Sequence, residues 1–487
     1  MKRSLKSLLY LFLILSFTFY ACDDSDNVIV VVNDKVEEND TVADNSSQEL
    51  TIFFINDQHG EIDNFAKVKY LVDKEKESRN TLLVCAGDIF SGNPIVDQYS
   101  QKGFPMIDLM NKTGFDIAVL GNHEFDYGID VLKERMNEAD FKWICANVDM
   151  LSSGVPQPEA YSTLEVGELK ISFIGLVETF GKEGAIIPST HPWRVTELEF
   201  QRHYDVIGQY DDIKDQEGSD LVIALTHLGT SSDIRLAEEN DFIDAVIGGH
   251  SHQVVEEKIN EKPVVQAGSN LYLLGKLKLE IEDKKIIKSE VEMINLNDFD
   301  TEDADLAKLI ADYNNAPEFE EVVGFATNYL SRDEIGCFYT TALKDYYNVD
   351  ASFQNGGGIR ADIDQGDITA LEIFNMDPFN NQSVIFTLTA KEVKDFFRET
   401  GAGLHISGIY FEQSGNTYTM YDEDGNIVND NEEITIGIND YIPAVYDSYF
   451  PLEKATIQNL TTAESIINYL KEVNTIDYDN CDRYYQY

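Results

Sequence analysis

Positive charge is what this chain has least of. Its 37 Lys and Arg stand against 88 Asp and Glu, a formal net charge of −51 over 487 residues. That balance removes the basic footprint by which proteins hold a phosphate backbone, and so excludes a nucleic-acid polymer as partner. It would also repel any small anion at long range, so a site for one must be positive locally. Cysteine is scarce as well. Five cysteines are an odd count. Cys85 and Cys145 lie inside apolar runs (LLVCA and KWICANV), where a thiol acts as a small hydrophobe, so a disulfide framework is not expected. Cys337 and Cys481 could pair. The apolar run 8–20 is too short to span a bilayer comfortably.

What that run does fit is the core of a signal peptide, since Lys2, Arg3 and Lys6 precede it. Residues 1–21 are read as this leader. Ala21-Cys22 followed by Asp23-Asp24-Ser25-Asp26 resembles a bacterial lipoprotein cleavage and lipidation site, although Phe19 stands where Leu is usual. Cys22 is then the lipid attachment point. The acidic start also resembles the export signal of surface lipoproteins of the Bacteroides group. Residues 22–49 are acidic and rich in Asn and Ser, a composition that buries little, and are expected to be a disordered tether holding the rest off a cell-envelope membrane.

With 43% hydrophobic residues the remainder is long enough for two or three domains. Its most informative feature is repeated five times: a short apolar, strand-like run ends in Asp, Asn, His or Gly. The run 51–56 (TIFFIN) leads into Asp57-Gln58-His59-Gly60, and 81–86 (TLLVCA) into Gly87-Asp88. The run 115–120 leads into Gly121-Asn122-His123-Glu124-Phe125-Asp126, 221–226 (LVIALT) into His227-Leu228-Gly229, and 244–247 (DAVI) into Gly248-Gly249-His250-Ser251-His252. Open α/β sheets place ligands beyond the carboxyl ends of their strands. Five of the eight histidines stand at these ends. Any one such end is more often a turn or a helix cap. Five together point to a metal site, and carboxylate, amide and imidazole without thiolate suit Zn, Mn, Mg or Fe. His191 and His203 fall outside these motifs.

The order of these motifs (DxHG, GD, GNHE, H, GHxH) resembles the calcineurin-like metallophosphoesterases. GNHEFDYG, with the later Asn355-Gly356-Gly357-Gly358-Ile359-Arg360, narrows the resemblance to the 5'-nucleotidase family over residues 50–450. It implies two divalent metal ions: Asp57, His59, Asp88 and His252 would hold one, and Asp88, Asn122, His227 and His250 the other, with Asp88 bridging. His123 and Asp126 resemble the catalytic dyad, a leaving-group acid and the carboxylate that orients it. Asp126 could instead be a first-turn carboxylate for a helix over 128–139. The expected fold is a two-domain α/β (α+β) chain: a four-layer α/β/β/α metallophosphoesterase domain over 50–296, a linker helix over 297–321, and an α+β substrate-binding domain over 322–487.

In that second domain the resemblance assigns Asn355 and Arg360 to phosphate and substrate binding. Phe379 and Tyr441 are the aromatic walls of a nucleobase slot, Asp447 lies on the base or ribose side, and Arg332 stands near a phosphate-binding Arg. The match is looser here. Pro443-Ala444-Val445-Tyr446-Asp447 replaces an expected Gly-Gly-Asp-Gly run, and Glu334-Ile335-Gly336 replaces Asn-Leu-Gly. The activity implied is extracytoplasmic hydrolysis of nucleoside 5'-monophosphates. The alternatives are a 2',3'-cyclic-nucleotide 2'-phosphodiesterase/3'-nucleotidase, a UDP-sugar hydrolase, or, in another class, a non-catalytic nucleotide-binding surface lipoprotein. Oligomeric state is not legible.

Overall fold

The first described strand, Gln48–Ile55, is buried on both faces from Leu50 onward, and it lies inside a sheet rather than at its edge. The computed structural model describes residues 47–415 and 417–478. The leader, Cys22, nearly all of the tether and Cys481 lie outside the described residues. Parallel strands Gln48–Ile55, Thr81–Cys85, Ile117–Val119 and Lys142–Ile144 run side by side. Antiparallel strands Leu273–Glu282 and Lys285–Asn295 complete this six-stranded sheet beyond Gln48–Ile55. A second six-stranded sheet is built around parallel strands Leu169–Val177, Leu221–His227, Ala245–Ile247 and Lys262–Ala267.

The two sheets face each other across a core that includes Ile52, Phe54, Val84, Ile171, Phe173, Ile223 and Val265. Helices cover the outer faces. Phe65–Lys76 presents Phe65, Ala66, Val68 and Val72 to the first sheet. Thr230–Glu239 presents Leu236 and Ala237 to the second. The result is the four-layer α/β/β/α arrangement, with both parallel strand sets ending at one rim. Crossovers of a parallel sheet need helices on its faces, which is why the central strands are apolar on both sides.

A helix does stand within the span 297–321 expected to link the domains. It covers Ala304–Asn314, and it is docked rather than free. Leu306 and Ile310 join the core beneath the first sheet, and the Tyr313 hydroxyl donates to Asp108 at 2.8 Å. The helical spacing of those side chains is that of a buried stripe, so packing captures the helix for the first domain.

The second domain has a five-stranded sheet in the order Leu404–Ser407, Ala351–Asn355, Glu433–Asn439, Gln382–Thr389, Ala455–Thr461. Gly366–Thr369, Val322–Ala326 and Thr475–Ile476 form a smaller sheet. Four of its helices open on Ser/Thr-x-x-Glu capping boxes, at Ser331, Thr369, Thr389 and Thr461. The longest of these helices spans Arg332–Tyr347. Gly336 masks its first turns in the sequence, yet glycine is required there, because a Cβ would fall 2.1 Å from His405 Nδ1. Cys85 and Cys145 are free and buried, whereas Cys337 is disulfide-bonded. Among the described residues no helix is long and apolar enough to cross a membrane.

Candidate metal centre and substrate cavity

The strand ends deliver their polar residues through strained backbone. Asp57, His59, Asp88, His250 and His252 all have positive φ, between 51° and 80°. Non-glycine residues seldom adopt that region, and such strain persists where neighbouring structure holds it in place. Asn56 and Glu124 do much of the holding. Asn56 donates to Asp57 Oδ2 at 2.6 Å and to the Gly268 carbonyl at 2.7 Å, and accepts from the Ala267 amide at 2.6 Å. Glu124, fully buried, accepts from the amides of Asp88 (3.1 Å), Ile89 (2.6 Å) and Gly121. It thereby ties two ligand-bearing turns together. Gly121 leaves the room they need, since a Cβ there would fall 2.3 Å from Asp88 Oδ1.

Two groups of donors result. Asp57, His59, Asp88 and His252 bring ligand atoms within 4.8 Å of one another, as do Asp88, His227 and His250. Asp88 belongs to both. Asn122 joins the second group, its Oδ1 2.9 Å from His250 Nδ1. The arrangement fits cations. His227 donates its Nδ1–H to the Ala86 carbonyl at 2.7 Å, which turns its fully buried Nε2 toward Asp88 Oδ2 at 2.9 Å. His59 directs Nδ1 to the Ser91 carbonyl at 3.1 Å, leaving its Nε2 2.9 Å from the Nε2 of His252. Backbone carbonyls holding the far nitrogen in this way are how proteins orient metal-bound imidazoles.

Protons register the same demand for positive charge. Burial alone would lower the His227 pKa, but Asp88 and Asp57 outweigh it and push it up to about 10. Asp88 is held well below the usual carboxylate range, burial being overcome by His227 and His123. Burial and the His123 charge push His59 down to about 3, leaving it neutral and free to ligate. Cations here would take over the charge that a proton on His227 supplies.

His123 stands beside this centre. Its Nδ1 is 2.5 Å from Asp126 Oδ2 and its Nε2 3.9 Å from Asp88 Oδ2. Burial opposes protonation, yet Asp126 and Asp88 raise its pKa to about 9. Asp126 does not cap the helix Ile129–Glu138. Its other oxygen accepts from the Thr190 hydroxyl at 2.8 Å. Sequence motifs gave no role to Thr190, His191 or Arg194, because these stand in a long segment between strands without periodicity. All three line the cavity in front of the centre.

That cavity, 320 Å³, has Asp88, Asn122, His123, His250 and His252 on one side and Asn355, Arg360, Phe379, Asn381 and Tyr441 on the other. Phe379 lies 6.4 Å from and nearly parallel to the His123 ring, and the Arg360 guanidinium sits 5.6 Å from the Phe379 centroid. Two expected residues do not line it. Asp447 is 68% exposed and pairs with Lys182 of the first domain at 2.9 Å. Arg332 is exposed at its helix start and donates to the Arg360 carbonyl at 3.4 Å. Substituting Pro443 to Tyr446 for a glycine-rich run makes the short helix Tyr441–Val445, so Asp447 leaves from its far end.

The comparisons with known proteins agree with this geometry. A family model described as calcineurin-like phosphoesterase matches residues 50–254, and one described as 5'-nucleotidase, C-terminal domain, matches residues 310–451. The chain belongs to the 5'-nucleotidase family. It is similar to the 5'-nucleotidase of Vibrio vulnificus, 25% identical with 78% of this chain and 80% of that one covered. It is also similar to the endonuclease YhcR of Bacillus subtilis, 26% identical over 87% of this chain but only 39% of that protein's length. In fold it resembles a 5'-nucleotidase precursor from Thermus thermophilus, with TM-score 0.73, 23% identity, and 88% and 97% of the two chains covered. Calcineurin-like phosphoesterases use two divalent metal ions, and the Asp, Asn and His donors of this 5'-nucleotidase family chain are compatible with such a pair.

Glu124→Ala should therefore damage the centre without removing a ligand. Three buried amides lose their acceptor, each at roughly 1–3 kcal/mol. Thermal unfolding and metal analysis should show a lower Tm together with loss of bound metal; an unchanged Tm at full metal content would contradict the role given to Glu124.

Proposed function

We propose that this protein is a phosphohydrolase that releases phosphate from nucleoside 5'-monophosphates outside the cytoplasm. One observation carries the reading: a single cavity joins the Asp/Asn/His centre to a pair of aromatic rings and an arginine on the facing domain. A phosphate ester seated there has its charged end at the centre and its apolar, planar end between Phe379 and Tyr441. The Vibrio vulnificus relative, named as a 5'-nucleotidase and matched over most of its length, supports the same substrate class.

Asp57, His59, Asp88 and His252 would hold one ion, and Asp88, Asn122, His227 and His250 the other. When bound, the two ions supply Lewis-acid charge to the phosphoryl oxygens and make water a competent nucleophile. The chain's own groups do the rest. Asp126 fixes the His123 ring through Nδ1, so a proton at Nε2 is presented to the leaving oxygen. Asn355 and Arg360 position the substrate, with the guanidinium able to fork onto phosphate oxygens. Phe379 and Tyr441 stack on the base. A surface protein that only bound nucleotide would have no use for the His123–Asp126 pair.

A second reading has one observation in its favour. Beyond the wall formed by His123, Phe379 and Arg360 lies another cavity, 310 Å³, lined by Ser91, Asn270 and Asn375 and reaching His59 and His252. It offers room for a second substituent on phosphorus, as in a cyclic nucleotide or a nucleoside diphosphate sugar. The membrane anchor is read from residues 1–26 alone. A disulfide at Cys337 suits the oxidising compartment that such an anchor implies.

Phosphate release from 5'-AMP, 3'-AMP, 2',3'-cyclic AMP and UDP-glucose, measured after loading with Mn or Zn, tests the substrate assignment. Fastest release from 5'-AMP is expected; faster release from the cyclic or diphosphate substrate would favour the second reading. His123→Ala should lower kcat by on the order of a hundredfold with metal content unchanged. Loss of metal in that variant would instead make His123 a ligand. Cys22→Ser should move the chain from the membrane fraction to the soluble one, and unchanged membrane association would remove the lipid anchor.

A further inference from the structure

Residues 189–194 (Ser-Thr-His-Pro-Trp-Arg) touch both halves of the cavity. Toward the metal centre, the Ser189 carbonyl accepts from Asn122 Nδ2 at 3.0 Å, and the Thr190 hydroxyl donates to Asp126 Oδ1 at 2.8 Å. Toward the substrate domain, His191 Nε2 stands 3.3 Å from Asp440 Oδ1, and its ring meets Tyr441 edge-on at 5.9 Å. Arg194 does both at once, donating to the carbonyl of Asp126 and, at 3.2 Å, to that of Phe379. Both aromatic walls are thus connected to Asp126, Phe379 through its backbone carbonyl and Tyr441 through the segment that carries Thr190 to its carboxylate.

The segment is well held. Glu178 accepts from the Ser189 amide, and a 3₁₀ turn over Pro192–Val195 closes with His191 Nδ1 accepting from the Trp193 amide at 3.3 Å. That contact turns the other imidazole nitrogen toward Asp440. His191 is 3% exposed, and its Nε2 faces Asp440 Oδ1 at 3.3 Å without reaching hydrogen-bond alignment. A buried polar atom held short of good hydrogen-bond geometry is costly, so its place between the domains calls for an explanation beyond packing.

We propose that residues 189–194 couple nucleobase seating to the catalytic dyad, with Thr190, His191 and Arg194 as positioning residues. A base between Phe379 and Tyr441 fixes the substrate-domain side of the segment, and the same short piece of chain fixes Asp126 on the other. This rests on the nucleotide reading above. It places in one segment a dependence of kcat, and not only KM, on the part of the substrate that does not react.

A double-mutant cycle tests the coupling. Thr190→Val, His191→Phe, the double variant and His191→Gln are compared with wild type on 5'-AMP and on 4-nitrophenyl phosphate, with Tm and metal content recorded. Each single change is expected to lower kcat on 5'-AMP by about tenfold, and the double change by about the same, because both interrupt one connection. His191→Phe should lower kcat/KM on 5'-AMP at least about fivefold more than on the aryl phosphate, and His191→Gln, which keeps a donor, should recover much of the loss. Independent effects, multiplying to about a hundredfold in the double variant, would overturn the coupling, as would equal losses from His191→Phe on both substrates. If His191→Phe fails to fold, Asp440→Asn takes its place in the cycle. A wild-type enzyme with no preference for 5'-AMP over the aryl phosphate would refute the nucleotide reading itself, and this proposal with it.

Discussion

Two carboxylates with almost no access to water, Asp57 and Asp88, sit where five strands end, and the need to neutralise them shapes what surrounds them. At an effective dielectric constant near 20, unit charges 4 Å apart interact by about 4 kcal/mol, too much for a buried pair to leave uncompensated. His227 lies within 3.8 Å of both carboxylates and can supply one positive charge. Two divalent ions would supply four, exceeding the carboxylates by two, the charge of a phosphate ester dianion. A chain of net charge −51 can thus hold an anionic substrate, because the positive field is confined to the centre and to Arg360 and Arg194 beside it.

The strained turns follow from the same requirement. Positive φ at five of the seven donors, those that follow Gln48–Ile55, Thr81–Cys85 and Ala245–Ile247, is the local cost of bringing them together, whereas His227 ends its own strand and Asn122 keeps right-handed backbone. The four-layer fold bears that cost because its cores are nearly fully buried on both sides of each sheet. Asn56 and Glu124 then convert a fold-level position into a side-chain position, each through three hydrogen bonds.

The sequence made the metal side legible and the substrate side less so. Parallel strands buried on both faces read as continuous apolar runs, and whatever follows them lands on one rim, so Asp57, Asp88, His227 and His250 could be placed together without a structure. Thr190, His191 and Arg194 could not, because only tertiary contact brings their segment to Asp126, Phe379 and Asp440. Distance along the chain hid the rest: Asp447 lies six residues from Tyr441, but an intervening helix carries it out to Lys182. Leu306 and Ile310 form a helical stripe that the sequence carries on its own. That stripe did not announce which surface would cover it.

The central claim is that Asp88 belongs to both metal positions at once. Electron paramagnetic resonance of the protein titrated with Mn(II) tests it most directly. If Asp88 bridges, two ions bind per chain and the loaded protein gives the broadened, exchange-coupled spectrum of a close Mn pair, which Asp88→Ala abolishes. Two independent six-line signals, or a single ion bound at saturation, would contradict the shared carboxylate.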